Sequence, residues 1–317
     1  MGAPGRDAGS QVQGPAGTAP QAPSKPPIAL KAADKYTVQV MAKELKDSNV
    51  NLAVELDEAA SSQLSDVLWD RLTRGEIDLA SFSLDGLDDK VPAFAATNMP
   101  GLVRSHEHAR RVAASPFMTQ IKRMAAAAGV IVLADSWTSM SIIAKKGCVR
   151  RPEDVKGLKV YTLGSSFEAV LQAAGATIVD FDLDTATTFK SSADAMVDSS
   201  IAALQVTELA RCVTISGDYT LGFTYLPWLI SKKSFERLNK DQQNALLKSG
   251  ERVGIEGNKD VDDYLVRMLP ASGVQTITLS EADHGAWVRL ARTTVYKDFA
   301  AKVPDGKQLI DEALAVK

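Results

Sequence analysis

The sequence predicts a two-lobed α/β fold with a cleft between the lobes, and three observations carry that expectation. From Pro27 onward, short apolar runs alternate with stretches of helical periodicity, the pattern of largely parallel sheets flanked by helices. The chain has 317 residues, 45% of them hydrophobic, which is enough for two modest cores. Two longer strand candidates, near 141–147 and 223–231, each leave one α/β unit and enter another. A chain that crosses between two units more than once describes a clamshell.

The elements follow in order. "IALKAA" (28–33) is a first strand, and Val38, Met41, Ala42 and Leu45 mark one face of the helix after it. "NLAVEL" (51–56) is a second strand. Ser61 or Ser62 is expected to cap a helix that buries Leu64, Val67, Leu68 and Leu72 and stops at Gly75. "IDLASFS" (77–83) reads as a buried strand. Ser115 and Pro116 open a helix with Phe117, Ile121 and Met124 inward, ended by Gly129 ahead of the strand "VIVLAD" (130–135). Gly157 turns the chain into a strand over 158–163.

Ser165 and Glu168 form the expected capping box of the next helix, with Phe167, Val170, Leu171 and Ala174 as its stripe. A strand at 177–181, a helix at 185–196 and a strand at 199–204 come next. "FTYLPWLIS" (223–231) is a strand interrupted by Pro227, hence an edge or a bend between lobes. Asn239 and Gln242 cap a long helix running to about 269 and spanning the lobes, with Leu246, Val253, Val261, Tyr264, Leu265 and Met268 as its stripe. After a strand at 274–279, Ser280 caps a last long helix with Trp287 and Leu290 inward. The lobes are expected to comprise 28–140 with 228–268, and 141–227 with 269–317.

Composition narrows the function. A net charge of −3 provides no electrostatic footprint for nucleic acid or an anionic membrane. No run of 18 apolar residues is present, so no membrane-spanning helix is expected. Residues 1–27 are rich in Gly, Pro, Ala, Gln and Ser and contain no apolar run. They read as a disordered, dispensable arm and not as an intact signal peptide. Cys148 and Cys212 are either two thiols in buried strands, the plainer expectation, or a disulfide, which spacing cannot establish. His106 and His108 stand two apart in a helical stretch and do not share a face, which argues against a metal site. No phosphate-binding glycine loop, dinucleotide fingerprint or nucleophile motif is present, so neither an enzyme nor a cofactor is expected.

Several segments resemble the DctP-type solute-binding proteins of tripartite ATP-independent periplasmic (TRAP) transporters. They are "GEIDLASFS" (75–83), "NMPGLVRSHEHA" (98–109), "RPEDVKGLKV" (151–160), "AAGATIVDFD" (173–182), "TTFKSSADAMVD" (187–198) and "LISKKSFERLNKDQQ" (229–243). Their order and spacing carry the resemblance more than any one of them does. It implies a periplasmic-binding-protein-like fold, a periplasmic location, no enzymatic activity, a small-molecule solute, often an organic acid, and TRAP membrane subunits as partners.

Carried over position by position, the resemblance implies an altered ligand pocket. The arginine that grips a carboxylate in the family falls on Tyr161. A second arginine, found in many sialic-acid-binding members, falls on Ser141. An asparagine falls on Gly164, a stacking aromatic on Thr185, and another asparagine on Ala202. A first-lobe contact falls near Ser83 and Asp85, and Trp137 and Phe223 are candidate aromatic walls. Tyr161 offers one hydrogen bond and a ring face where arginine offers a planar, charged fork. Burying a carboxylate without such a partner costs several kcal/mol, on the order of the binding energy of a small molecule. A neutral or aromatic solute, or a small amine near Asp85 and Glu58, is therefore expected. A ligand sensor for a receptor, an enzyme on the same fold and a paralogue that binds nothing well are the alternatives.

Overall fold

The computed structural model describes residues 27–46, 48–162, 164–180 and 184–317, and only the backbone of 252, 253 and 255–258. The arm expected at 1–27 lies, except for Pro27, outside the described residues.

The first α/β unit contains β1 (Ile28–Ala32), α1 (Lys35–Lys46), β2 (Leu52–Leu56), α2 (Ser65–Arg74), β3 (Leu79–Ser81), a 3-10 turn Pro92–Asn98, α3 (His106–Ala113), α4 (Pro116–Ala127) and β4 (Val130–Ala134). The chain then crosses over in β5 (Trp137–Ala144). It builds β6 (Lys159–Thr162), α5 (Ser165–Ala173), β7 (Thr177–Ile178), α6 (Thr185–Ser191), β8 (Ala195–Ser199), a 3-10 turn Ser200–Gln205 and β9 (Cys212–Thr214). It returns through β10 (Phe223–Tyr225) and β11 (Trp228–Ser231). The remainder is α7 (Lys232–Glu236), α8 (Lys240–Val253), α9 (Ile255–Ala271), β12 (Gln275–Ile277), α10 (Glu281–Thr293), α11 (Val295–Lys302) and α12 (Gly306–Leu314).

Among the described residues the strands form two sheets, β2-β1-β3-β11-β4 and β12-β9-β5-β8-β6-β7, with β10 paired to β5. The sheets are mixed and not largely parallel. Every antiparallel pair among the described strands includes β5 or β11, the strands that cross between sheets. The βαβ units themselves keep parallel pairs, such as β1 with β2 and β6 with β8.

Local chemistry explains most element ends. Ser115 accepts from Met118 N and caps α4, Asn239 and Gln242 form the box of α8, and Ser280 and Asp283 form that of α10. Gly75 ends α2 in the left-handed region, φ 75°. Other expectations fail. The N-cap of α2 is Leu64, with no side-chain cap, and Leu64 and Val67 face outward because Leu68, Trp69 and Leu72 form the buried stripe. α5 has no capping box, since Gly164 sits at its N-cap with φ 105°. The strand expected at 199–204 is β8, which starts four residues earlier and ends five earlier, and Ser200–Gln205 is a 3-10 turn. α6 is correspondingly short. In α1, Thr37, Met41 and Leu45 are buried and Ala42 is exposed.

The single long helix is two, broken at Gly254. A Cβ on Gly250 would lie 2.5 Å from the Leu133 carbonyl oxygen, and one on Gly254 2.4 Å from that of Asp135. Both glycines let the helix backbones lie directly on the end of β4. α8 packs on β4 and α1, while α9 packs on the second sheet, so the pair does span the lobes. Tyr264 and Met268, expected inward, are exposed because α9 turns Val261, Leu265 and Leu269 to that sheet; Val253 lies outside the described side chains. The last long helix is three, and α12 folds back onto α4.

The crossings meet at one place. Leu226 N donates to the Ser136 carbonyl at 2.9 Å, joining the two strand crossings between the sheets. Tyr225 pairs with Trp137 on one side of this bond, and Trp228 with Ala134 on the other. Asp135 lies beside it, accepting from the Tyr225 hydroxyl at 2.6 Å and from Lys122 at 2.5 Å.

Cys148 and Cys212 form a disulfide, in place of the two thiols expected. Cys148 lies in the loop after β5 and Cys212 opens β9, so the bond staples a loop to a strand across a sequence separation of 64. Replacing both by serine should lower the melting temperature by about 5–10 °C, since closing a loop of that length contributes about 4 kcal/mol in the chain-entropy account. Calorimetry on the double variant checks this, and an unchanged transition counts against it.

Candidate functional site

A cavity of about 660 Å³ opens between the two sheets. Its walls come from chain segments just beyond the strand ends: the loop after β3, the turn from β6 into α5, and the end of β8. This is where ligands sit in open α/β sheets, because the chain leaves each parallel strand toward the crevice. A larger and more open depression, about 770 Å³, lies between α1 and α8 on the outside of the first unit, away from these strand ends.

From the first unit the cavity receives Ser83, Asp85, Gly86 and Asn98. The Asn98 amide donates to Ser83 Oγ at 2.8 Å, and its carbonyl accepts from Tyr225 N at 2.8 Å. This buried amide ties the β3 loop to the returning strand β10. Ser83 Oγ also accepts from Asp85 N at 3.1 Å, which fixes the loop that carries the carboxylate.

Asp85 is the most perturbed acid of the cleft. Burial raises its pKa to about 6, and Asp88 and Glu168 add to the rise, against partial compensation from the Gly86 N–H and the Asn98 amide. Its Oδ1 is buried and makes no hydrogen bond among the described residues. Its Oδ2 packs on Gly164, so closely that a Cβ there would lie 2.2 Å away. Gly164 is thus required twice, by its φ of 105° and by this contact.

From the second unit come Asp198, Ser199, Ser165, Phe167, Met140 and Thr224. Asp198 also has a raised pKa. Burial is the main cause, opposed by the Ser199 N–H and by hydroxyls including that of Thr185. The Ser199 N–H donates to its Oδ1 at 2.6 Å. No lysine or arginine lines the cavity among the described residues.

The sequence-derived candidates divide into two groups. Ser83, Asp85 and Gly164 line the cavity. Thr185 does not line it, but its hydroxyl is among the groups that hold down the pKa values of Asp198 and Tyr161. Tyr161 is 1% exposed, packed with Phe189, Met196 and Ala202 in the second unit, and burial pushes its phenol up. Ser141 is sealed in a buried chain: its hydroxyl meets Ser200 at 2.9 Å, Ser200 meets Ser139, Ser139 donates to Asp262 at 2.8 Å, and Asp262 faces His106 at 2.6 Å. Trp137 stacks on Tyr225 and Phe223 stands edge-on to His106, both in the core. Glu58 is exposed and does not line the cavity.

Asn98, Asp198 and Phe167 were not identified as ligand candidates from the sequence. Asp198 falls, on the sequence reading, in the connection before a strand at 199–204, whereas the structure places it near the end of β8; Asn98 carries no local signal, because its role depends on β10 arriving from 127 residues away.

Comparison with known proteins accords with this geometry. The family described as bacterial extracellular solute-binding protein, family 7 (DctP), matches residues 31–302. The chain belongs to the DctP family. A solute-binding protein of Albidiferax ferrireducens is 25% identical over 276 residues, 85% of this chain and 82% of that one. Among solved structures, a TRAP periplasmic solute-binding protein of Rhodoferax ferrireducens with bound malonate superposes with a TM-score of 0.79 at 23% identity, covering 90% of this chain and 96% of that one. A Bordetella pertussis extracytoplasmic solute receptor binding pyroglutamic acid gives 0.75 at 18% identity over 90% and 98% of the chains. A Haemophilus influenzae TRAP solute-binding protein with bound L-gulonate gives 0.74 at 19% identity over 92% and 99%. These DctP-family structures are two-lobed, as is this chain, and no described helix here is long and apolar enough to cross a membrane.

The buried acid of this DctP chain has a stability signature. The folded state holds the Asp85 proton up to about pH 6, whereas the unfolded chain releases it near 3.8. Between those values the folded state binds more protons, so this group's contribution to stability falls as pH rises and stays low above 6. Asp85→Asn should therefore stabilise the unliganded protein by roughly 1–2 kcal/mol at pH 7.5, after discounting for partial exposure, and by nothing at pH 3.5. Thermal unfolding at the two pH values measures this; an equal effect at both would locate the change elsewhere.

Proposed function

We propose that this chain is the extracytoplasmic receptor of a TRAP transporter, closing on a small cationic solute and delivering it to the membrane subunits. Membership of the DctP family supports receptor and delivery, and the paired cysteines suit an oxidising compartment. The solute class rests on one observation: the cleft presents Asp85 and Asp198 with no basic side chain lining it among the described residues.

The electrostatic comparison is direct. A carboxylate solute would meet two buried carboxylates and no fixed positive charge. The start of α5 could serve an anion through its free N–H groups, but Asp85 already packs against it. An ammonium group would offer Asp85 Oδ1 the donor it lacks and lower both raised pKa values. The relatives named above hold malonate, pyroglutamic acid and L-gulonate, so the solute proposed here is opposite to theirs in charge.

Closure follows from the same charges. Asp85 belongs to the first unit and Asp198 to the second, so each unit brings one acid to the cleft. A cation between them favours the closed form, which is the differential affinity that closure requires. The hinge is the crossing at 135–136, 226–227 and 254, so β5 from Trp137 and α9 from Ile255 move with the second sheet, and the lobe bounds expected at 140 and 268 shift to 135 and 254.

A thermal-shift screen of amines, polyols and carboxylates, followed by titration calorimetry, tests the solute class. An amine at about 100 times its Kd should add about 2.7 kcal/mol of stability, and Asp85→Asn should weaken it at least about tenfold, or 1.4 kcal/mol. Dicarboxylates binding below about 1 μM, or −8 kcal/mol, with no amine binding would overturn the cationic reading. Small-angle scattering with saturating amine should show a smaller radius of gyration, and an unchanged value would count against closure.

A further inference from the structure

A second cavity, about 420 Å³, lies on the far side of the 99–104 segment from the cleft. It is enclosed by that segment, by Tyr219, by α10 and by the end of α12. Its polar lining is of opposite sign to the cleft. Arg104 and Arg292 both line it, and among the described residues neither guanidinium makes an ion pair or a side-chain hydrogen bond. Such arginines are ordinarily solvated, and two of them alone would mean little.

The buried histidine beneath them changes that. His284 is 8% exposed and lines the same cavity, and its Nε2 is buried with no hydrogen bond of normal geometry, the Gly101 backbone alone lying close enough to oppose the fall of its pKa. A polar atom left so is costly, and native interiors rarely keep one. Tyr219 lies against the His284 ring at 5.4 Å, and Gly101 faces Nε2 on the other side. Burial, with the charges of Arg104 and His108 nearby, holds the His284 pKa down to about 4. The imidazole is therefore neutral at physiological pH and has one N–H to give. His108 is occupied, with Nε2 at 2.9 Å from the Val316 carbonyl. Glu281 stands at the rim as the one acid lining the cavity among the described residues.

We propose that this cavity is a second ligand site, distinct from the cleft, that binds a small oxyanion of the carboxylate or phosphate class between Arg104 and Arg292 with His284 Nε2–H as its inner donor. A planar guanidinium matches both head groups, in two-point geometry where the approach allows. The ring of Tyr219 and the side chains of Leu102, Val288 and Leu314 supply an apolar wall for a short organic body. The site takes an anion, whereas the cleft is read as taking a cation, so the two can be occupied together and their failures told apart.

The test uses the full chain with its histidines labelled with nitrogen-15. Inorganic phosphate and malonate are titrated separately against chloride at matched ionic strength. The Nε2 resonance of His284 should shift saturably with a half-point at or below about 1 mM, equivalent to −4 kcal/mol. Whichever anion binds more tightly identifies the head group. Arg292→Gln, an exposed position that leaves the core untouched, should weaken binding at least about tenfold (1.4 kcal/mol), and Arg104→Gln should do the same. Asp85→Asn should leave it unchanged. A His284 resonance that responds to neither anion, or a response that survives both arginine variants, overturns the site.

Discussion

Three passages of chain hold the two sheets together, and all three converge on Asp135. Its carboxylate accepts from Tyr225, which comes in on the returning strand, and from Lys122, which belongs to α4. Its carbonyl oxygen lies under Gly254, where the helical connection breaks. A buried carboxylate held by a phenol and an ammonium is costly to leave half-partnered. The same burial and charge push the Tyr225 phenol well up, so it stays a donor throughout the physiological range. The mixed character of both sheets follows from this junction, since every antiparallel pair among the described strands belongs to a strand that passes through it.

Scaffold and cleft answer to different constraints. The cores are built from mid-strand and mid-helix side chains such as Leu79, Ile143, Val197 and Phe189. The cavity is lined from strand ends and first helical turns, at Asp85, Gly164 and Asp198. Gly164 is fixed by its backbone and by the Asp85 contact, but Asp85 and Asp198 lie outside the packed cores, so their charge can change without disturbing the layers behind them.

That division also explains what could be read from the sequence. The strand runs and the caps at Ser115, Asn239 and Ser280 are local signals, and local signals are legible in a single sequence. The breaks were not legible. Gly254 ends a helix because of what lies beneath it, and β7 is short because only two residues find a partner in β6. In the site, the family's arginine position fell on a tyrosine buried behind the cavity, while Asp85 and Gly164 fell within it. Asn98 and the disulfide depend on partners far away in sequence, and nothing adjacent to them announces those partners.

The contact between Asp85 and Gly164 constrains the order in which this cleft could be rewritten. The asparagine that the family resemblance places at 164 brings a Cβ that would lie 2.2 Å from the Asp85 carboxylate, and it would have to adopt a φ of 105°. Installed first, it would force the Asp85 carboxylate to move aside; installed after the acid is shortened to serine or glycine, it would face only the backbone strain. The two positions are thus epistatic, with an effect of either change that depends on the state of the other. A path from this cleft back to a carboxylate-gripping one is easier with a first step at 85, and an arginine introduced at 161 alone would lead into the Phe189 and Met196 core and not into the cleft.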